Sequence, residues 1–355
     1  MKKEVFGETK TGSTVTAYTL ENKNGISATI IDFGATVTKL LVPDKTGVAR
    51  DIQLGYDSVA GYEDGECFFG AIIGRNANRI KDGRVSIDRV VYQMEQNDNE
   101  NNLHSGPNGV DKKMWTYLPN SDTDADSDSV TLICKSNDKE QGLPGNVTMT
   151  VTFSLNDDNE FKITYDAVSD MKTVINMTSH MYFNLNGHYK GNVENHFVTL
   201  DSDYYNPVID FKAIPTEENA PVAETVFDFR NPKQIGDEVN SSELQLEYVG
   251  GYDHNFIIKG STGEVRHFAT VYAEESGIVM DLFSDQTGTQ FYSGNCIGDQ
   301  KGKGGFDYHN RSGLCLEPQY IPNAMNFIPE DSVDSPIFEA DQHYHTESIY
   351  KFSTK

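Results

Sequence analysis

Val147-Thr148-Met149-Thr150-Val151-Thr152-Phe153-Ser154-Leu155 alternates apolar and polar residues at nearly every step. After Asp157-Asp158-Asn159 the alternation resumes as Phe161-Lys162-Ile163-Thr164-Tyr165-Asp166-Ala167. A period of two sends successive side chains to opposite faces of a strand, so each segment has one face suited to burial and one suited to water. The aspartates and asparagine between them have turn chemistry, and the two segments predict an antiparallel hairpin.

The same alternation recurs in both directions. Lys81-Asp82-Gly83-Arg84 joins a segment ending at Ile80 to Val85, Ile87 and a β-branched run near Val90. Residues 268–273 are expected to pair with 278–283 across Glu274-Glu275-Ser276-Gly277. Long stretches of helical period are lacking, and the windows 58–62 and 232–236 predict single helical turns. The strand pattern runs from Val15 to Phe352 without a Pro-, Gly- or Ser-rich linker. That predicts one all-β domain over residues 1–355, a large antiparallel sandwich or barrel. Its core has ample large aromatic surface, with 19 Phe and 18 Tyr.

Charge narrows the function. Against 29 Lys and Arg stand 54 Asp and Glu, a net charge of −25 over 355 residues. The densest basic run, 301–303, is interrupted by a glycine. Nucleic acid and anionic membrane surfaces are therefore excluded as partners, and long-range attraction of an anionic substrate is disfavoured. Met1-Lys2-Lys3-Glu4 leads into a polar stretch with no apolar h-region, so no signal peptide or membrane-spanning helix is expected. Cys67, Cys134, Cys296 and Cys315 include no CxxC pair and read as free thiols of a reducing compartment. A cytoplasmic location follows, and the sequons at Asn146, Asn176, Asn240 and Asn310 then carry no sugar.

Two loops invite a ligand and lack its pattern. Asp122, Asp124, Asp126 and Asp128 alternate, but Ser127 and Ile133 stand where a calcium loop needs glycine and glutamate, so a solvated hairpin loop is expected. Residues 302–305 are glycine-rich without a following Lys-Ser or Lys-Thr and predict a flexible surface loop rather than a phosphate cradle. No HExxH occurs among the nine histidines, and no GxSxG elbow is present. His343 and His345 would share one face of a strand, with Asp341 and Glu347 the carboxylates close in sequence. No metal site is assigned.

Catalytic-type residues stand inside apolar, strand-like sequence. His180 lies in Asn176-Met177-Thr178-Ser179-His180-Met181-Tyr182-Phe183-Asn184-Leu185, and Glu317 in Leu314-Cys315-Leu316-Glu317-Pro318-Gln319. Either residue alone suits a structural histidine or a solvated strand end as well as a site. Their company decides. Gly74-Arg75-Asn76-Ala77-Asn78-Arg79-Ile80, Asn102-Leu103-His104-Ser105-Gly106, Ser179–Leu185, Tyr252-Asp253-His254-Asn255-Phe256, Thr289-Gln290-Phe291-Tyr292-Ser293-Gly294-Asn295 and Glu317-Pro318-Gln319 occur in that order. Together they resemble the aldose 1-epimerase (galactose mutarotase) family over nearly the whole chain.

The resemblance implies a large antiparallel β-supersandwich and a cofactor-free interconversion of the α and β anomers of free aldohexoses such as galactose and glucose. It further implies His180 as general acid and Glu317 as general base. Asn78, Arg79, His104, Tyr182, Asp253 and Gln290 would bind the monosaccharide, in a monomer or homodimer. The chemistry suits these types: an ordinary glutamate (pKa ~4.3) is ionised near neutrality, and an ordinary histidine (~6.5) is partly protonated. Met181, Ser105, Pro318 and Asn323 depart from the family pattern, and Ser105 and Pro318 adjoin pocket residues where specificity would be set. The alternatives are a relative acting on a disaccharide such as maltose or on a sugar phosphate, and a non-catalytic sugar-binding protein. A binding protein would be signalled by loss of His180 or Glu317, and both are present.

Overall fold

A computed structural model describes residues 1–119 and 127–355. The hairpin forms as expected. Strand Val147–Asn156 pairs antiparallel with Glu160–Ser169, with Val151 opposite Tyr165 and Phe153 opposite Ile163. The apolar residues alternating from Val147 to Leu155 and from Phe161 to Ala167 are buried, and the residues between them are half-exposed. The second expected hairpin is also present, between Arg266–Ala273 and Ile278–Ser284, with a register shift between His267 and Ala269 that leaves Phe268 in a bulge.

Both hairpins belong to one nine-stranded sheet. The C-terminal strand Tyr344–Thr354 lies between them, paired to Glu160–Ser169 on one side and Ile278–Ser284 on the other. A five-stranded sheet runs in chain order from Lys2–Glu8 to Ala49–Asp51. A second has the order Ala220–Pro221, Tyr204–Asn206, Asp253–Ile257, Gly288–Tyr292 and Cys315–Gln319. The strand ladders among the described residues are antiparallel, and the architecture is the all-β sandwich that the alternation predicts. Phe153, Phe161, Phe183, Phe291 and Tyr350 belong to the main apolar core. Each large side chain so buried stabilises the fold by about 1.5–3 kcal/mol relative to exposure.

Helical structure is sparse. The 58–62 window becomes helix Val59–Asp64, with Ser58 as N-cap accepting from the Gly61 N–H at 3.4 Å. In the 232–236 window a short strand, Lys233–Gln234, leads into a 3₁₀ turn over Ile235–Asp237. Helix Leu244–Val249 was not anticipated; six residues with Leu246 buried and Leu244 exposed are too few to display a period. No helix among the described residues is long and apolar enough to cross a membrane.

One loop expectation changes. Residues 302–305 form an anchored turn rather than a flexible loop: the Lys303 ammonium is buried, 2.7 Å from Asp51 Oδ2 and 2.8 Å from the Thr38 carbonyl. A lysine can enter the interior only with such a partner, and the partner lies 252 residues away. The carboxylate that meets both His343 and His345 is Asp166 of the neighbouring strand, at 3.1 and 2.8 Å, rather than Asp341 or Glu347. Asp122, Asp124 and Asp126 lie outside the described residues, while Asp128 sits in strand Ser127–Ser136.

Candidate active site

Cross-strand pairing builds one wall of the site. Gln290 lies directly opposite Glu317 in the ladder between Gly288–Tyr292 and Cys315–Gln319. On its other side Gln290 pairs with Asn255, and Asp253 occupies the diagonal position two residues before it. That diagonal lets Gln290 Nε2 donate to Asp253 Oδ1 at 2.7 Å. The alternation also places Cys315 and Glu317 on one face of their strand. Glu317 is 2% exposed, and its Oε2 has no hydrogen-bond partner.

His180 follows the two-residue strand Thr178–Ser179, which pairs with Ile72–Ile73. Its backbone is fixed from both sides: its N–H donates to the Ala71 carbonyl, and its carbonyl accepts from the Gly70 N–H, each at 2.9 Å. The imidazole Nε2 is 3.8 Å from Glu317 Oε2, and Nδ1 is 3.5 Å from Cys315 Sγ. The Tyr182 ring stacks on the imidazole with centroids 4.9 Å apart and planes at 11°.

The third wall comes from the Asn78–Arg79 segment and His104. Asn78 has a left-handed backbone (φ 63°), its N–H donates to His104 Nδ1 at 3.0 Å, and its side-chain oxygen accepts from the Arg79 N–H at 2.8 Å. Arg79 is held by two carboxylates, Asp98 at 2.7 Å and Asp253 at 3.6 Å. All eight residues expected from the sequence, Asn78, Arg79, His104, His180, Tyr182, Asp253, Gln290 and Glu317, line one cavity of about 450 Å³. Arg75, from the same motif, does not: it is fully buried elsewhere, donating to Ser136 Oγ and to the Pro144 and Gly145 carbonyls.

Electrostatics revises one expectation. Burial pushes His180 down to about 3. Burial, reinforced by Asp253 and partly opposed by Arg79, pushes Glu317 well above the usual carboxylate range. Both shifts disfavour the charged forms, so burial works against the carboxylate and the partly charged ring that solvent values would give. The sequence expectation used solvent values, and both groups have lost their solvent. The pair still holds one movable proton.

Two imidazoles and a carboxylate lie within metal-binding reach, since ligand atoms of His104, His180 and Glu317 are all within 4.8 Å of one another. Hydrogen bonding argues against that use. The Asn78 amide occupies the Nδ1 lone pair of His104, so the neutral ring carries its proton on Nε2. Neither nitrogen then offers a lone pair to a cation, whereas the Nε2–H can donate to a hydroxyl.

Sequence reasoning missed several neighbours. Phe68, Glu66, Tyr292, Cys296 and Gln300 also line the cavity. Asp98 orients Arg79, and Cys315 contacts His180. Tyr292 was within reach, because it stands in the quoted Thr289–Asn295 segment. Phe68 was not, because Cys67-Phe68-Phe69 looks like core.

The chain matches the family model for aldose 1-epimerase over residues 16–351. It is 38% identical to human galactose mutarotase, over 98% of this chain and 97% of that protein. It is 35% identical to the aldose 1-epimerase of Escherichia coli K12, over 94% of each. Among solved structures, an aldose epimerase homologue from C. elegans superposes with a TM-score of 0.84 at 30% identity, covering 95% of this chain and 98% of that one. Galactose 1-epimerase from Lactobacillus acidophilus gives 0.85 at 27% identity, covering 100% and 99%. With a family match over nearly its full length, and relatives this similar across almost every residue, the chain belongs to the aldose 1-epimerase family.

Proposed function

We propose that the protein opens and recloses the ring of free, uncharged aldoses such as galactose and glucose, with Glu317 as base and His180 as acid. The observation that carries this is the convergence of His180 Nε2 and Glu317 Oε2, 3.8 Å apart, on a cavity walled by hydroxyl-binding groups. In a hemiacetal the anomeric hydroxyl and the ring oxygen share one carbon, so an acid and a base must meet in a small volume. Glu317 takes the anomeric hydroxyl proton, the carbonyl forms as the bond from the anomeric carbon to the ring oxygen breaks, and His180 gives its Nε2 proton to that oxygen. Rotation about the bond to the neighbouring carbon turns the other carbonyl face inward. Reclosure returns both protons and yields the other anomer, with no net redox change.

The displaced proton affinities serve this step. A buried imidazolium is a stronger acid than an exposed one, and a buried carboxylate a stronger base, so the ion pair that reacts is driven toward the neutral pair left beside the open aldehyde. Arg79 and the sugar hydroxyls favour the carboxylate before the step. His104 Nε2–H, Arg79, Asp253 and Gln290 supply the directional bonds to the remaining hydroxyls, and Tyr182 backs the acid.

Substrate charge follows from pairing. Among the described residues lining the cavity, Arg79 is the one cationic side chain, and Asp98 and Asp253 already hold it. A sugar phosphate would meet Glu66 and Asp253 with no free cation, which favours neutral sugars. The site residues run from Asn78 to Glu317 and interlock across one cavity, supporting a single functional domain over residues 1–355. The protein would act as a monomer or a homodimer. Unpaired buried thiols suit the cytoplasm.

The test is polarimetry on fresh α-glucose, α-galactose, maltose and glucose 6-phosphate, with methyl α-galactoside as a control. Free sugars should be accelerated and the phosphate should not. The methyl glycoside, which has no anomeric hydroxyl proton, should inhibit without reacting; its turnover would contradict the ring-opening step. Exhaustive dialysis against a chelator should leave the rate unchanged, whereas a loss restored by zinc would contradict the tautomer assigned to His104.

The rate should depend on pH in a specific sense. A depressed imidazole gains a second proton only near pH 3, and a raised carboxyl keeps its proton well past its ordinary range. The pair therefore holds its one proton across that window, and kcat/KM should fall on the acid side near His180's depressed value. An acid limb at the ~6.5 of an exposed histidine would contradict the burial argument.

A further inference from the structure

We propose that Phe68 is a positioning residue for His180: its ring, held into the cavity by a strained backbone, closes the open face of the imidazole opposite Tyr182. The inference rests on the epimerase function proposed above. Phe68 is only half-buried, lines the cavity, and has φ 55°, a left-handed conformation that is an outlier for a bulky aromatic residue. Strain of this kind persists where the surrounding structure enforces it, and it clusters at functional sites.

The enforcement is visible. Gly70, two residues on, is also left-handed (φ 71°), and a Cβ there would come within 2.0 Å of the Val37 carbonyl oxygen. The Gly70 carbonyl accepts from the Val37 N–H at 2.8 Å, and Gly70 and Ala71 make the two backbone hydrogen bonds to His180. Phe68 and His180 are thus mounted on one hydrogen-bonded frame. The Phe68 ring lies 5.8 Å from the imidazole with planes at 15°, and it meets His104 edge-on at 4.9 Å. Tyr182 stacks on the imidazole at 4.9 Å, so two near-parallel aromatic rings adjoin the acid, and Cys315 contacts its Nδ1 edge. The Nε2 edge is the one that meets Glu317.

This enclosure has two consequences. It fixes the ring plane, so that Nε2 points at one place, and it keeps water from the ring, so that the imidazolium is a strong acid when formed. The titratable groups facing His180 are Glu317 and Cys315 on strand Cys315–Gln319, His104 across the cavity, and Tyr182 and Tyr292 beside it. None of them changes when Phe68 is replaced, so a moved pH profile reports the enclosure.

The experiment measures kcat, KM, pH profile and melting temperature for F68A, F68G and F68Y beside wild type. Loss of the ring should lower kcat by about 100-fold, the cost of a small misplacement, with a smaller change in KM. The acid limb should move up toward ~6.5 in F68A and F68G. F68Y, which keeps the stack, should restore both. F68G should melt above F68A because glycine relieves the left-handed strain, and it carries the kinetic test if F68A does not fold. Unchanged kcat and acid limb in the ring-less variants would overturn the proposal, as would a change confined to KM. A wild-type protein without mutarotation would instead overturn the epimerase function itself.

Discussion

Glu317→Gln should slow mutarotation by about 100- to 10,000-fold while leaving sugar affinity near that of wild type. Glutamine preserves the shape and one hydrogen-bonding oxygen but cannot take a proton from the anomeric hydroxyl. The same substitution should raise the melting temperature at neutral pH, and the sign follows from linkage. Burial lifts Glu317 above its unfolded value of 4.5, so the folded state binds its proton more tightly than the unfolded state does. Stability is then lost as pH rises through the unfolded value toward the folded one. Within that window folding must return the proton that the unfolded carboxylate has lost, because burial disfavours the charged form. Glutamine removes that cost. Polarimetric rate and thermal melt on one preparation check both halves; near-native turnover would remove Glu317 from the base role.

His180→Asn should cost a similar two to four orders of magnitude in kcat, roughly the worth of a positioned general acid. Asparagine can still donate to the ring oxygen, so KM should move far less than the rate. A structural histidine would behave differently: its loss would lower the melting temperature, and activity would fall only with the folded fraction. Because acid and base act on one transition state, the double variant should lose much less than the product of the two single losses. Full multiplicativity would mean that the residues act in separate steps.

Both residues could be found in the sequence, for different reasons than their chemistry requires. Period two placed the hairpins because each strand has one dry and one wet face, and that much is local. Residues sharing the cavity come from segments more than 200 positions apart, such as Asn78 and Glu317, and no local pattern joins them; only the ordered family motifs did. What those motifs could not convey was environment. His180 and Glu317 were assigned solvent proton affinities, and burial shifts both against their charged forms. Arg75 and Arg79 look equivalent in one motif, yet Arg75 staples four backbone carbonyls while Arg79 faces the cavity. Phe68 stands in the apolar run Cys67-Phe68-Phe69, which carries no signal of a site, and its place in the cavity goes with a left-handed backbone that sequence does not display. Lys303 looked solvated because its buried partner, Asp51, is remote in the chain.

The most direct test of the catalytic pair is the initial change in optical rotation of freshly dissolved α-galactose, followed in buffer, with wild type, and with the H180N/E317Q double variant at equal folded concentration. Wild type should reach the same final rotation as buffer, many times faster, and the double variant should lose about 10,000-fold of the wild-type activity, so that its trace stays near the buffer curve. A wild-type trace that coincides with buffer, or a double variant that keeps pace with wild type, would contradict the account.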